Sequence, residues 1–142
     1  MTEADDFKVS QKKVRDSRFK SEVLGGHYFT CALTGYRLDT ETTSIVQAAR
    51  MRQHAVSGND DPRNGLALTP DAHWMFDNGL WTAVPVGNDL LVQVATSRFT
   101  ESSPSGRRLA TLQGKPSHFH AHARLRPMIG CLAWHARKHR LL

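Results

Sequence analysis

The run Leu66–Gly79, LALTPDAHWMFDNG, constrains the fold of this chain more than any other. Leu66–Leu68 reads as a brief apolar strand. A full helix grammar follows. Thr69 stands at the N-cap position, Pro70 at the first helical position, Asp71 complements the helix dipole, and Gly79 stops the helix. His73 and Asp77 are four residues apart, so both side chains leave one side of that helix. An imidazole and a carboxylate so placed can grip one divalent cation. The spacing is common, however, and is usually idle when it stands alone.

The elements around this helix are short. Arg15, Phe19 and Val23 recur at helical spacing, which predicts an amphipathic helix over Gln11–Leu24, stopped by Leu24–Gly26. Residues 1–10 are polar and are expected to fray. HYFTCALTGYRL mixes aromatic and β-branched residues before Thr34–Gly35, which predicts a strand and then a turn. Thr42–Ala49 reads as a second short strand. Val56–Gly65, VSGNDDPRNG, is dense in turn-forming residues and reads as an irregular loop. LWTAVPVGNDLLVQVA predicts a hairpin turning at Gly87–Asn88, with Pro85 on an exposed edge. The tail RPMIGCLAWHARKHRLL puts Met128, Leu132, His135 and His139 on one helical face.

At 142 residues, a single domain over 1–142 is expected. No run approaches the apolar length of a membrane span, and MTEADDFKVSQKK has no apolar signal core. A cytoplasmic location is therefore expected. Cys31 and Cys131 form no C-x-x-C pair, so a zinc ribbon is not expected and two buried or idle thiols are. Lys and Arg total 19 against 13 Asp and Glu, a formal charge of +6 that favours a polyanionic partner.

Several ordered pieces raise the weight of the His73–Asp77 pair: CALTG at Cys31–Gly35, QAARM at Gln47–Met51, NDDPRNGLAL at Asn59–Leu68 and AHWMFDNGLW at Ala72–Trp81. Together they resemble the HNH endonuclease family, from about Arg15 to Trp81, with weaker similarity at Trp134–His135. The resemblance implies an α+β fold: a ββα-metal core over about residues 28–82, flanked by N- and C-terminal helices and a β-hairpin. It implies a metal-dependent phosphodiesterase acting on DNA, with one divalent ion, Mg²⁺, Mn²⁺, Ni²⁺ or Zn²⁺. His73 would hold the metal, with Asp77 and Gln47 as further candidates, and Asn64 would brace the loop and help to orient the base. Asn64 has an equal claim as ordinary Asn-Gly turn chemistry, and Asp77 as a helix-end partner.

In that family the first motif ends in a histidine, as in AAH, which activates water as the general base. Here Arg50 fills that place, and an arginine side chain cannot take up a proton at working pH. Gln47 departs too, since relatives often carry an acid there. His54 offers a substitute imidazole, or is a solvated loop histidine. Arg50 could clamp the scissile phosphate, or pair with Asp60, Asp61 or Asp77. The alternative to an enzyme is an inactive HNH-fold domain that binds nucleic acid or a partner protein.

Two basic clusters flank the motifs: Lys12, Lys13, Arg15, Arg18 and Lys20 at the front, and Arg137, Lys138 and Arg140 at the end. With Arg52 and Arg63 they are the expected contacts to the DNA backbone, and no base-reading motif is visible. Strong sequence specificity would come from a separate DNA-reading partner; a homodimer is the other arrangement left open. A third reading is a structural metal site using His118, His120 and His122, or His135 and His139. Trp134 and His135 are otherwise expected to dock the last helix on the core. Restriction, phage defence, mobile-element function and toxin activity all fit.

Overall fold

The computed structural model describes residues 2–52, 60–119 and 126–141. Its core is the expected antiparallel strand pair followed by a helix. Strand β1, Gln47–Arg50, pairs with β2, Gly65–Leu68, in a register that sets Gln47 against Leu68 and Arg50 against Gly65. Helix α2, Pro70–Asp77, follows β2 directly. The hairpin β3, Trp81–Val86, and β4, Asp89–Val94, turns at Gly87–Asn88 with Gly87 at φ 63°. Pro85 is exposed on β3, as its missing N–H requires. Helix α3, Ile129–Lys138, packs on β3.

The buried residues include Leu33, Met51, Leu66, Leu68, Phe76, Trp81, Val92 and Leu132. Phe76 and Trp81 meet edge to face at 5.0 Å, and Trp81 Nε1 donates to Ala72 O at 3.1 Å. Such a pair adds packing beyond its buried area, and the indole N–H is satisfied. These contacts seat α2 on the core, with Leu80 half-buried beside them.

Helix α1, Glu3–Gly26, is longer than the sequence predicts. Residues 1–10 were expected to fray, but Thr2 and Asp5 form a capping box: Asp5 N donates to Thr2 Oγ1 at 3.2 Å and Thr2 N donates to Asp5 Oδ2 at 3.2 Å. This satisfies donors that a helix start otherwise leaves open. Only Phe19, Val23 and Leu24 of α1 are buried, and they rest on the β1–β2 ribbon.

The strand expected in HYFTCALTGYRL does not form. Tyr28 and Phe29 both adopt left-handed backbone, φ 53° each, reversing the chain after α1. The segment makes single hydrogen bonds in place of a ladder: Gly35 N donates to Cys31 O at 2.8 Å, Ala32 N to Ala67 O at 2.8 Å and His118 N to Ala32 O at 2.8 Å. Cys31, Ala32 and Leu33 are buried in succession. The second strand also begins later than expected, at Gln47 rather than Thr42, because residues 39–44 close a small turn through the Asp39–Ser44 bridge.

The Asn-Gly pair at 64–65 is not a left-handed turn. Gly65 has extended backbone, φ −123°. It is glycine because α1 lies against it: a Cβ there would strike Val23 Cγ2 and come within 2.9 Å of Phe19 Cζ. Thr69 occupies the N-cap of α2 but makes no side-chain cap; its hydroxyl instead donates to Asp71 Oδ1 at 2.6 Å. Cys31 and Cys131 are both buried, as expected. Among the described residues, no helix is long and apolar enough to cross a membrane.

Candidate nuclease site

One face of α2 is buried through Ala72 and Phe76. The opposite face carries Pro70, His73, Trp74 and Asp77, spaced i, i+3, i+4 and i+7, which is one helical stripe. His73 is the centre of this stripe. Its Nδ1 lies 2.8 Å from Gln47 Oε1 on β1, and its Nε2 lies 3.1 Å from Asp77 Oδ2. With Nδ1–H donating to the Gln47 carbonyl oxygen, the Nε2 lone pair and the Asp77 carboxylate converge. Two electron-rich atoms that close need a proton or a cation between them. The His73 side chain is 26% exposed and that of Asp77 49%, so the pair is open to solvent.

Gln47, His73 and Asp77 are therefore brought together from strand and helix. Among the described residues, no group of three or more His, Cys, Asp or Glu side chains is placed to hold a metal. The donor set here is one imidazole and one carboxylate, with a neutral amide behind the imidazole.

Asn64 is fully buried and grips the main chain of Arg52. Its Oδ1 accepts from Arg52 N at 2.8 Å, and its Nδ2 donates to Arg52 O at 2.9 Å. Met51 N donates to Asn64 O at 2.9 Å. The side chain thus extends the β1–β2 pairing by one step and fixes both ends of the segment between them.

Arg50 is turned toward α1. Its Nη2 lies 3.2 Å from Asp16 Oδ1 and 3.5 Å from Asp60 Oδ1, and its guanidinium carbon sits 4.2 Å from the centre of the Phe19 ring. Of the three pairings expected, Asp60 is made; Asp61 is taken by Arg63, and Asp77 by His73. Asp16, not foreseen from sequence, is the nearer partner. His54 lies outside the described residues.

The basic residues divide. Lys12, Lys13, Arg15 and Arg18 are exposed along α1, as are Arg137 and Lys138 at the end of α3. Arg63 is committed to Asp61 by a forked contact, Nη2 to Oδ2 at 2.8 Å, and this hydrogen bond holds the Asp61 carboxyl below the usual range. Arg52 and Lys138 meet over one indole: the Arg52 guanidinium is 5.8 Å and the Lys138 ammonium 5.2 Å from the Trp134 ring centre. Trp134 is thus half-exposed and gathers two cations rather than plugging the core.

His135 docks α3 on the core together with Cys131, Leu132 and Ala136. It is buried, stacks on Phe76 at 3.6 Å, and lies between Thr82 Oγ1 at 3.0 Å from Nδ1 and Phe76 O at 2.7 Å from Nε2. Burial lowers its pKa to about 4, against the pull of the Phe76 carbonyl, so the ring is neutral. Both ring nitrogens are engaged, one by Thr82 and the other by the Phe76 carbonyl. His118 packs its ring over Gly35, while His120 and His122 lie outside the described residues.

The sequence reading passed over Trp74. It is 63% exposed, next to His73 on the open face of α2. Its signal was available: an indole at the i+4 position from Pro70 on the face opposite Phe76.

Residues 31–83 match a family model described as HNH endonuclease. A similar solved structure is described as a modification dependent TagI restriction endonuclease, with a TM-score of 0.63 and 21% identity, covering 85% of this chain. At that identity the likeness is one of fold, and this chain spans 37% of the neighbour's length. No curated protein matches the chain. The strand pair, the clamped Asn64 and the His73 helix all fall inside the residues that match the HNH endonuclease model.

Proposed function

We propose that the chain is a metal-dependent endonuclease that hydrolyses DNA phosphodiester bonds on the open face of α2, with no side-chain base at position 50. The observation that carries this reading is the double contact of His73, 2.8 Å to Gln47 on β1 and 3.1 Å to Asp77 on its own helix. A restriction endonuclease of similar fold and a formal charge of +6 support DNA as the substrate.

His73 Nε2 and Asp77 would hold the divalent ion. Gln47 orients the ring through Nδ1, the outer-shell partner that metal-bound histidines use. Two protein ligands fit a hydrated Mg²⁺- or Mn²⁺-like ion that keeps several waters. They do not fit a closed tetrahedral zinc site. When bound, the ion would stabilise charge developing on the phosphate and leaving oxygen. Asn64 keeps the end of β1 in register with β2, so that Gln47 stays opposite His73. Lys12, Lys13, Arg15, Arg18, Arg137 and Lys138 supply backbone contacts, and Trp74 offers an apolar surface beside the reacting phosphate. Arg50 cannot take the proton of the attacking water, and its guanidinium is engaged by Asp16, Asp60 and Phe19. Loss of general-base help slows hydrolysis by roughly 10²- to 10⁴-fold.

The engagement of Arg50 also favours a second reading, an HNH-fold domain that binds DNA without cutting it. Plasmid nicking with Mg²⁺, Mn²⁺, Ni²⁺ and Zn²⁺ separates the two. Slow nicking that is abolished by a chelator and by His73→Ala is expected. DNA binding with no nicking under any of these ions would leave only the second reading.

A further inference from the structure

Beside the candidate site lies an open cleft of about 790 Å³ that the phosphodiesterase reading leaves unused. It is lined by Tyr36 and Ile45, by Thr69, Pro70 and Asp71 at the start of α2, and by Arg108. The volume is that of a site for a nucleotide-sized ligand, within the range of roughly 300–1,000 Å³. Tyr36 is 49% exposed, so its ring is available for stacking. Arg108 is exposed and makes no salt bridge among the described residues, although its charge helps to hold the Asp71 carboxyl below the usual range. The Asp71 carboxylate already takes the Thr69 hydroxyl at 2.6 Å and Ala72 N at 2.9 Å. As an acceptor-only group it repels phosphate and suits a base amino group.

The cleft adjoins the His73 face. Pro70 is one helical turn before His73, so the two residues are neighbours on α2. Ile45 is two residues before Gln47, which limits their separation to about 7 Å. A strand whose phosphate reaches His73 therefore has its next nucleotide at the cleft. Duplex DNA buries its base faces by stacking, so only an unpaired nucleotide could offer one to Tyr36.

We infer that the cleft receives one unpaired nucleotide of the DNA strand, next to the phosphate addressed by His73, with its base on Tyr36 and Pro70 and its phosphate on Arg108. The inference rests on the nuclease reading and names the substrate form that the site prefers: a duplex with a gap, flap or single-stranded end.

The test is fluorescence anisotropy of the full chain, with a chelator present so that no cleavage occurs. The probes are a blunt duplex and the same duplex with a short single-stranded overhang. The overhang probe is expected to bind at least about fivefold more tightly, as one base–aromatic stack gives. Tyr36→Ala is expected to remove that preference and leave blunt binding unchanged. Arg108→Gln is expected to weaken overhang binding and lower its salt slope by about one. Both side chains are exposed, and unchanged thermal melts will show that the variants fold. Equal binding of the two probes by the wild type, or a preference that survives Tyr36→Ala, overturns this inference and leaves the nuclease reading standing. Binding of neither probe overturns both.

Discussion

Asn64 holds Arg52 by both of its main-chain polar groups, accepting from N at 2.8 Å and donating to O at 2.9 Å. A side-chain amide here copies a backbone pair in a β-ladder. It joins the end of β1 to the start of β2. Asn64→Ala is expected to cost about 2–4 kcal/mol, since two buried bonds are lost and the Arg52 groups lose their partners. Asn64→Asp keeps the acceptor and loses the donor, so it should fall between. Urea unfolding of the three proteins gives the order, and a cost below about 1 kcal/mol for Asn64→Ala would contradict the clamp.

Arg50→His separates catalysis from stability. An imidazole at position 50 supplies the missing proton acceptor, and nicking is expected to rise by roughly 10²-fold or more. The same change removes two partly exposed ion pairs and the Phe19 contact, which together stabilise by about 1–2 kcal/mol. A faster but less stable enzyme is the expected outcome, read from plasmid nicking and thermal melts together. An inert Arg50→His protein that still binds Mn²⁺ would place the defect elsewhere in the site.

Gly65 marks the contact between α1 and the ribbon. A methyl group there meets Val23 and Phe19, both on α1 and both buried. Gly65→Ala is expected to destabilise by about 1–3 kcal/mol through overpacking. Hydrogen exchange should quicken in α1 before it does in α2. Uniform loss of protection would show that α1 is not the element displaced.

His135 makes the fold sensitive to acid. Its folded pKa is lowered by burial from 6.5 to about 4. The folded state therefore prefers the neutral ring, and the unfolded state takes up the proton first. Its contribution is fully present above about pH 6.5 and is lost as pH falls toward about 4, amounting to at most about 3 kcal/mol. Thermal melts at pH 7 and pH 4.5 should show this loss. In His135→Leu the part of the slope between these values should shrink, although the variant is less stable at pH 7 because Thr82 and the Phe76 carbonyl lose their partner.

The sequence by itself determined the centre of the fold. Thr69–Gly79 specifies a short helix because its start and stop residues act within a few positions of one another, and the i, i+4 spacing of His73 and Asp77 needs nothing beyond helix geometry. The strand pair and the hairpin turn at Gly87–Asn88 were legible for the same local reason, as was the match of these pieces to a known motif order. Local signals also misled. Aromatic and β-branched residues at 27–38 read as a strand, yet left-handed backbone at Tyr28 and Phe29 breaks it.

Only the tertiary structure decided what lies far apart in sequence. It placed Asp16 and Phe19 on Arg50, Gln47 on His73, Val23 against Gly65, and Arg52 and Lys138 over Trp134. Each of these is a contact between separate elements. Its geometry follows from how α1 and α3 pack around the ββα core, and helix or strand periodicity within one element carries no information about that packing.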